Sequence, residues 1–171
     1  MMIVDLTQIK DAQASFDFTF EPSEIDLESE TEKLVDRAVI KGKVKKGIAQ
    51  IDVEGQIKTR VEVECSRCLG TVKHALNFEF NAAFVEPENY TQEKETVVNP
   101  EDLEVSIFEG DRIDLKELVR EQILLNIPEQ VFCSEDCKGF CQKCGANRNL
   151  IDCKCEDKEI DPRWAALKNL K

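Results

Sequence analysis

The sequence has few of the side chains that enzymes use to move protons, because it contains one histidine in 171 residues. A single histidine leaves little scope for general acid–base catalysis near neutral pH. The glycine-rich phosphate loop, the HExxH zinc-protease motif and the GxSxG nucleophile motif are missing as well. These absences favour a non-enzymatic protein.

Long apolar segments are also missing. No apolar run approaches the roughly 20 residues that a membrane-spanning helix needs. The N-terminal sequence, MMIVDLTQ, has neither the basic n-region nor the apolar h-region of a secretory signal. We therefore expect a protein of a reducing cytosol, with a cytoplasmic location.

The chain lacks an excess of basic residues, and its net charge is -12. The acidity is concentrated in residues 1–132, which hold 15 Lys or Arg against 28 Asp or Glu, whereas residues 133–171 hold eight against seven. Nucleic-acid binding depends on basic side chains that neutralise phosphates, so bare RNA is a poor partner for such a chain. A basic protein is the better match, although acidity that serves only solubility remains an alternative.

Strict alternation of apolar and polar residues is the strongest structural signal. It runs through residues 51–65 and resumes over 72–84, which predicts a long antiparallel hairpin with one buried face. Gly55 interrupts the first segment and predicts a bend or bulge. Further strands are predicted at residues 16–20, 39–45 and 103–108, and residues 86–101 are predicted to form a polar loop.

One main helix is predicted over residues 114–127, capped by Asp114 and stopped by Pro128. A short terminal helix is expected to begin at Asp161, with Pro162 in its first turn. We therefore predict an α+β fold with a mainly antiparallel sheet or partly closed barrel. The predicted division is an antiparallel body at 1–128 and a cysteine-rich, zinc-binding segment with the terminal helix at 129–171.

Eight cysteines carry the clearest chemical signal. In a chain without a secretion signal, closely spaced cysteine pairs indicate metal sites rather than disulfides. Two C-x-x-C pairs are each followed by a nearby glycine, Gly70 or Gly145, which tolerates the positive φ that such turns often need. The candidate metal ligands are Cys65, Cys68, Cys133, Cys137, Cys141, Cys144, Cys153 and Cys155.

Two groupings of these ligands are open. In the favoured one, the last four cysteines close a local site, and Cys133 and Cys137 complete a site with Cys65 and Cys68. Local closure costs less chain entropy, which is why we favour it. The alternative combines Cys65 and Cys68 with Cys141 and Cys144, and Cys133 and Cys137 with Cys153 and Cys155.

Zinc is the expected metal, at two structural sites, because four thiolates leave no open position for a catalytic water. Iron–sulfur clusters also use four cysteines, and redox-active or free thiols are a third interpretation of the cysteine pattern. His74 lies on the apolar face of its predicted strand, so we expect a core residue there rather than a ligand.

Several motifs in the same order resemble the YceD family. They are ECSRCL at residues 64–69, a helix that opens with Asp114 and Leu115 and ends at Ile127 and Pro128, DCKGFCQKCGAN at 136–147, and DPRWAAL at 161–167. The family is named for large ribosomal RNA subunit accumulation. The resemblance implies a factor that supports synthesis, processing or stability of large-subunit ribosomal RNA, and it supplies no catalytic residues.

The resemblance and the charge together suggest partners. Family genes often neighbour one for a small, basic, zinc-binding large-subunit ribosomal protein, so we expect a basic ribosomal protein or a large-subunit precursor as partner. The near-neutral tail, with Arg148, Arg163 and Lys168, is the expected place for any contact with ribosomal RNA. A direct RNA-binding zinc-ribbon protein and a zinc-stabilised scaffold are the alternatives, and no membrane or small-molecule substrate is expected.

Overall fold

The computed structural model describes residues 3–5, 13–48, 50–85, 105–108 and 112–155. Within them lie eight strands and one helix, in the order β1 Ile3–Asp5, β2 Gln13–Phe20, β3 Lys33–Leu34, β4 Ala38–Lys46, β5 Ile51–Glu64, β6 Thr71–Val85, β7 Val105–Ile107, β8 Arg112–Asp114 and α1 Leu115–Leu125. The predicted polar loop at 86–101 and the predicted helix from Asp161 lie outside the described residues.

The longest feature is the predicted hairpin, which the structure confirms. Strands β5 and β6 pair antiparallel without interruption, from Ile51 opposite Phe84 to Glu64 opposite Thr71. The apolar odd-numbered side chains of β5 are buried, and Val53, Ile57 and Val61 are fully buried. The alternation therefore selects the buried face, as a two-residue side-chain period requires.

The main sheet runs in the order β2-β4-β5-β6-β7, and β3 adds to it by pairing with β5. All of its pairings are antiparallel except the one between β6 and β7. Strands β2 and β7 end the sheet, so it is open and the partly closed barrel is not the form adopted. Strands β1 and β8 form a separate antiparallel pair.

The predicted bulge at Gly55 is wrong, because the pairing of β5 with both of its neighbours keeps one register throughout. The glycine instead lies in a row across four strands, with Phe16, Gly42 and Phe80. A Cβ on Gly55 would come within 2.6 Å of the Lys41 carbonyl oxygen and 3.0 Å of the Phe80 ring. Aromatic rings thus cover the two glycines, an arrangement known to stabilise glycine within sheets.

Helix α1 follows directly from β8 and packs its apolar stripe into the core. The Asp114 carboxylate accepts a hydrogen bond from the Lys116 amide at 2.9 Å, which confirms the predicted cap. The helix ends at Leu125, two residues earlier than predicted, and the Asn126 amide then bonds to the Ile123 carbonyl. Of the helices among the described residues, none has the length and apolar content that a membrane span requires.

The apolar core and the buried cysteines form two clusters that adjoin at Val72, which packs against both. The first gathers buried residues of the sheet, the helix and the connection from β2 to β3. The second contains Cys65, Cys68 and Cys137, with Val72 packed against it. The β body therefore has a core of its own, and the cysteines lie beyond its end.

Candidate metal centres

The cysteines lie on two tight turns of the same design. In the turn at the hairpin tip, the Cys65 amide donates to the Gly70 carbonyl and the Leu69 amide donates to the Cys65 carbonyl, both at 2.9 Å. In the second turn, the Cys141 amide donates to Ala146 and the Gly145 amide to Cys141, both at 2.8 Å. Each turn therefore presents its two cysteines to one side.

The residue that takes the positive φ differs between the turns. Gly145 has φ 69°, as the sequence predicts, but at the tip Leu69 adopts φ 52° and Gly70 does not have a positive φ. The role predicted for Gly70 is therefore wrong. A Cβ there would lie 3.4 Å from the Cys68 sulfur, which is an ordinary van der Waals contact.

Centre 1 consists of Cys65, Cys68, Cys133 and Cys137, whose sulfurs all lie within 4.8 Å of one another. The Cys65 and Cys137 sulfurs are 3.8 Å apart, and those of Cys68 and Cys133 are 3.6 Å apart. Tetrahedral ligation with metal–sulfur bonds of about 2.3 Å places sulfurs about 3.8 Å apart. The spacing therefore fits a single tetrahedral ion.

Centre 2 consists of Cys141, Cys144, Cys153 and Cys155, again with all sulfurs within 4.8 Å. Cys141 is buried, Cys153 and Cys155 are half-buried, and Cys144 is exposed. The structure thus brings the eight cysteines together in the favoured grouping. In an iron–sulfur cubane each thiolate binds a different iron, which would hold the sulfurs further apart, so the packing favours one ion per centre.

Centre 1 joins segments that are far apart in sequence. Beside it, the Ser66 amide donates to the Val131 carbonyl at 2.8 Å, and the Val131 amide donates to the Ser66 hydroxyl oxygen at 3.1 Å. The Cys133 amide points at the Cys65 sulfur at 3.4 Å. Hydrogen bonds from backbone amides therefore join the hairpin tip to the segment after α1 beside the four cysteines.

Arg67 reinforces this junction. Its guanidinium Nη1 donates to the Cys137 carbonyl at 3.0 Å and to the Glu135 carbonyl at 3.3 Å. Its Cζ lies 4.3 Å from the centroid of the Phe132 ring, a cation–π contact. Sequence reasoning missed this role, because a single arginine between two cysteines carries no signal of what it will contact.

The thiols of each centre differ in acidity. Burial alone would raise the pKa of Cys65, but backbone amides of Arg67, Cys133 and Cys68 bring the pKa down to about 6. The Gly70 amide favours the Cys68 thiolate, yet burial and neighbouring sulfurs raise the pKa of Cys68 to about 12. One thiolate thus forms readily in centre 1, whereas another forms only when a cation balances its charge.

Centre 2 likewise contains one cysteine with a lowered pKa and another with a raised pKa. Backbone amides of Cys144 and Lys143 lower the pKa of Cys141 to about 6. The sulfurs of Cys144 and Cys141 raise the pKa of Cys155 to about 12. Four crowded thiolates repel one another unless a cation lies between them, which is the chemistry of a closed structural metal site.

Asn149 is a second residue that the sequence does not single out. Its side-chain amide donates to the Cys137 sulfur at 3.3 Å, and it is the main cause of the lowered pKa of Cys137. His74 lies half-buried on the inner face of β6 and belongs to neither cysteine cluster.

Comparison with known proteins identifies one family that this chain resembles over most of its length. The sequence model of the family described as "Large ribosomal RNA subunit accumulation protein YceD" matches residues 53–171. No solved structure gives a significant match.

Curated relatives cover different shares of the chain. YlbN of Bacillus subtilis, itself uncharacterized, is 30% identical over 169 residues, which span 98% of this chain and 94% of that protein. Rv2926c of Mycobacterium tuberculosis, also uncharacterized, is 30% identical over 67% of this chain and 53% of its own length. The chloroplastic YCED homolog 1 of Arabidopsis thaliana is 39% identical over 59 residues, 34% of this chain and 18% of that protein. The chain therefore belongs to the YceD family of large ribosomal RNA subunit accumulation proteins.

Proposed function

We propose that this protein is a non-enzymatic ribosome-biogenesis factor that supports accumulation of large-subunit ribosomal RNA by binding a basic ribosomal protein or a large-subunit precursor. The family description, which names large ribosomal RNA subunit accumulation, carries the ribosomal part of the proposal. The charge and the surface of the β body support the choice of a basic partner.

A strongly acidic segment on the β body is the best candidate for the docking surface. Residues 21–32, here called the acidic segment, contain six acidic residues and no Lys or Arg. Five of the six are exposed, namely Glu21, Glu24, Asp26, Glu28 and Glu30. Such a concentration of like charge attracts a basic partner and speeds its association.

The acidic segment is anchored to the body. Ile25 and Leu27, which alternate with the acidic side chains, are only 3% and 4% exposed and belong to the core. The Glu28 carboxylate also pairs with Arg120 of α1 at 2.9 Å. A fixed array of carboxylates pays less entropy on binding than a flexible acidic tail would.

In this proposal zinc fills both centres and has a structural role. Zinc is the metal that most often takes four thiolates in a closed tetrahedral site, and the sulfur spacing supports such a site. At centre 1 the four cysteines would hold one ion and so join the hairpin tip to the segment after α1, and at centre 2 the four cysteines would hold the other within residues 141–155. The chemistry that each ion supplies is charge balance for four thiolates.

Sedimentation of the tagged protein through a gradient tests the proposed function. We expect the protein in large-subunit precursor fractions, or in a pull-down at low salt with a basic large-subunit ribosomal protein that survives digestion of RNA. Absence from every precursor fraction, together with no bound ribosomal protein, would refute the proposal.

Charge reversal within the acidic segment tests whether this segment is the docking surface. The variant Glu24→Lys with Glu30→Lys should weaken capture of the basic partner and reduce the salt dependence of capture. A control of equal charge change, Glu64→Lys with Glu79→Lys, alters exposed residues of the hairpin instead. If both variants lose the same amount of partner capture, net charge rather than the acidic segment governs binding.

Direct RNA binding by the cysteine-rich segment is the second candidate. It is favoured by exposed basic residues beside centres 1 and 2, such as Lys138 and Lys143, and by exposed aromatic rings at Phe132 and Phe140. This function predicts affinity for isolated ribosomal RNA that falls steeply as salt rises. Tight binding to isolated ribosomal RNA, with no basic ribosomal protein captured after RNA digestion, would favour this function over the first.

A further inference from the structure

One side chain connects the two cysteine centres. Asn149 lies in the loop between Cys144 and Cys153 and so belongs by sequence to centre 2. Its Nδ2 nevertheless donates to the Cys137 sulfur of centre 1 at 3.3 Å. Its Oδ1 accepts from the Lys138 amide at 2.8 Å, so both ends of the amide group are used and its orientation is fixed.

The loop that carries Asn149 is attached along the segment between the two centres. The Asn149 amide donates to the Asn147 side chain at 3.0 Å, and Asn147 forms a β-bridge with Phe140. The Arg148 amide donates to the Gly139 carbonyl at 2.9 Å. When Cys144 and Cys153 share one ion, the loop between them is closed and Asn149 is held over Cys137.

We propose that Asn149 couples the two centres, so that metal at centre 2 strengthens metal binding at centre 1. The inference rests on the metal sites of the proposed function. A tetrathiolate centre keeps negative charge on its sulfurs, and a hydrogen bond to a charged acceptor is stronger than one to a neutral acceptor. Asn149 is thus a positioning residue for the Cys137 thiolate and not a ligand.

The expected strength of the coupling follows from the known effect of groups that hydrogen-bond to metal ligands. Loss of a hydrogen bond to a metal ligand typically lowers metal affinity by roughly 10- to 100-fold. Linkage makes the effect reciprocal, so an ion at centre 1 should favour an ion at centre 2 by the same factor. The two centres should therefore load and empty together more closely than independent sites would.

Cadmium-113 NMR of the full chain provides the test, because each four-sulfur centre gives its own resonance. The resonance of centre 1 is assigned with a variant that disables centre 2, Cys153→Ser with Cys155→Ser. A competing chelator then measures the affinity of centre 1 for Cd²⁺ from the loss of that signal. The same titration is run on wild type, Asn149→Ala and Asn149→Asp.

We expect Asn149→Ala to lower the Cd²⁺ affinity of centre 1 by roughly 10- to 100-fold and to move its resonance. Asn149→Asp should lower the Cd²⁺ affinity of centre 1 by at least as much. Aspartate can still accept a hydrogen bond from the Lys138 amide, but it cannot donate one to sulfur. Disabling centre 2 should produce a similar loss, and Asn149→Ala should add little to it, as expected for residues that act through one contact.

The neighbouring Leu150→Ala is the control, since Leu150 is 81% exposed. If both Asn149 variants bind Cd²⁺ at centre 1 as tightly as this control, the coupling is refuted while the two metal sites stand. Wild-type affinity in Asn149→Asp alone would also refute it, because acceptance from Lys138 would then be the whole role. A wild-type chain that binds fewer than two ions would overturn the metal sites and the coupling together.

Discussion

Two glycines with nearly the same backbone conformation allow a sharp test of how the cysteine-rich segment is held on the hairpin. Gly139 has φ 65° and Gly145 has φ 69°. A Cβ on Gly139 would lie 2.8 Å from the Arg67 carbonyl oxygen, whereas a Cβ on Gly145 would meet nothing within 4 Å. Alanine at either position incurs the same backbone strain, but only at Gly139 does it also push against the hairpin tip.

The expected loss of stability in each variant follows from the backbone strain and, at Gly139, from the added steric contact with the hairpin tip. A left-handed backbone costs an alanine roughly 1–2 kcal/mol, and this is the whole expected effect of Gly145→Ala. Overpacking typically costs a further 1–3 kcal/mol, so Gly139→Ala should destabilise the junction by roughly 2–5 kcal/mol. The strain acts beside the bonds from Arg67 to the carbonyls of Cys137 and Glu135, so the junction of centre 1 should open first.

Hydrogen exchange followed by NMR on the zinc-loaded protein measures this opening. The reporter is the Ser66 amide, which donates across the junction to the Val131 carbonyl. We expect Gly139→Ala to speed its exchange by at least about tenfold, the equivalent of about 1.4 kcal/mol, and Gly145→Ala to change it little. Equal acceleration in the two variants would contradict the reasoning, because contact with Arg67 would then contribute nothing.

Three further predictions concern the metal and the core. A strong chelator should raise exchange throughout 132–149 while β4 and β5 stay protected, because the buried residues of these strands belong to an apolar core that contains no cysteine; global unfolding on chelation would contradict this. Acidification should release metal from both centres, because protons compete for thiols such as Cys68 and Cys155, whose raised pKa values of about 12 mean that metal must displace protons. The bound state is therefore favoured at high pH and lost as pH falls, by about tenfold in affinity per pH unit for each proton taken up, and a Co²⁺ absorbance titration from pH 8 to 5 measures it; a flat profile would exclude thiolate ligation. Ile57→Ala should cost about 2–5 kcal/mol in urea unfolding because Ile57 is fully buried, yet leave the metal content unchanged; loss of metal from folded protein would show that core and centres are not separate.

The sequence could predict features that depend on local chemistry. Alternation alone predicts β5 and β6, since a side-chain period of two decides which face is buried. Asp114 predicts the start of α1, because its carboxylate satisfies an amide of the first turn. Gly145 after a C-x-x-C pair predicts the positive φ of the second turn, because glycine adopts that conformation without strain.

Features that depend on the assembled fold could not be predicted. Gly55 suggested a bulge, whereas its small size serves an aromatic row that exists only once four strands are in register. Leu69 adopts a left-handed conformation that its residue type disfavours, and the tip turn requires it. The contact of Asn149 with Cys137 spans two centres, so no spacing within either centre indicates it.

Native mass spectrometry of the purified full chain shows whether the eight cysteines hold two zinc ions, because it counts and identifies the bound metal in one spectrum. We expect two zinc ions per chain, with the mass returning to that of the apoprotein in acid. Fewer than two metal ions per chain, or the added mass of iron and inorganic sulfide, would contradict the assignment of two closed zinc centres.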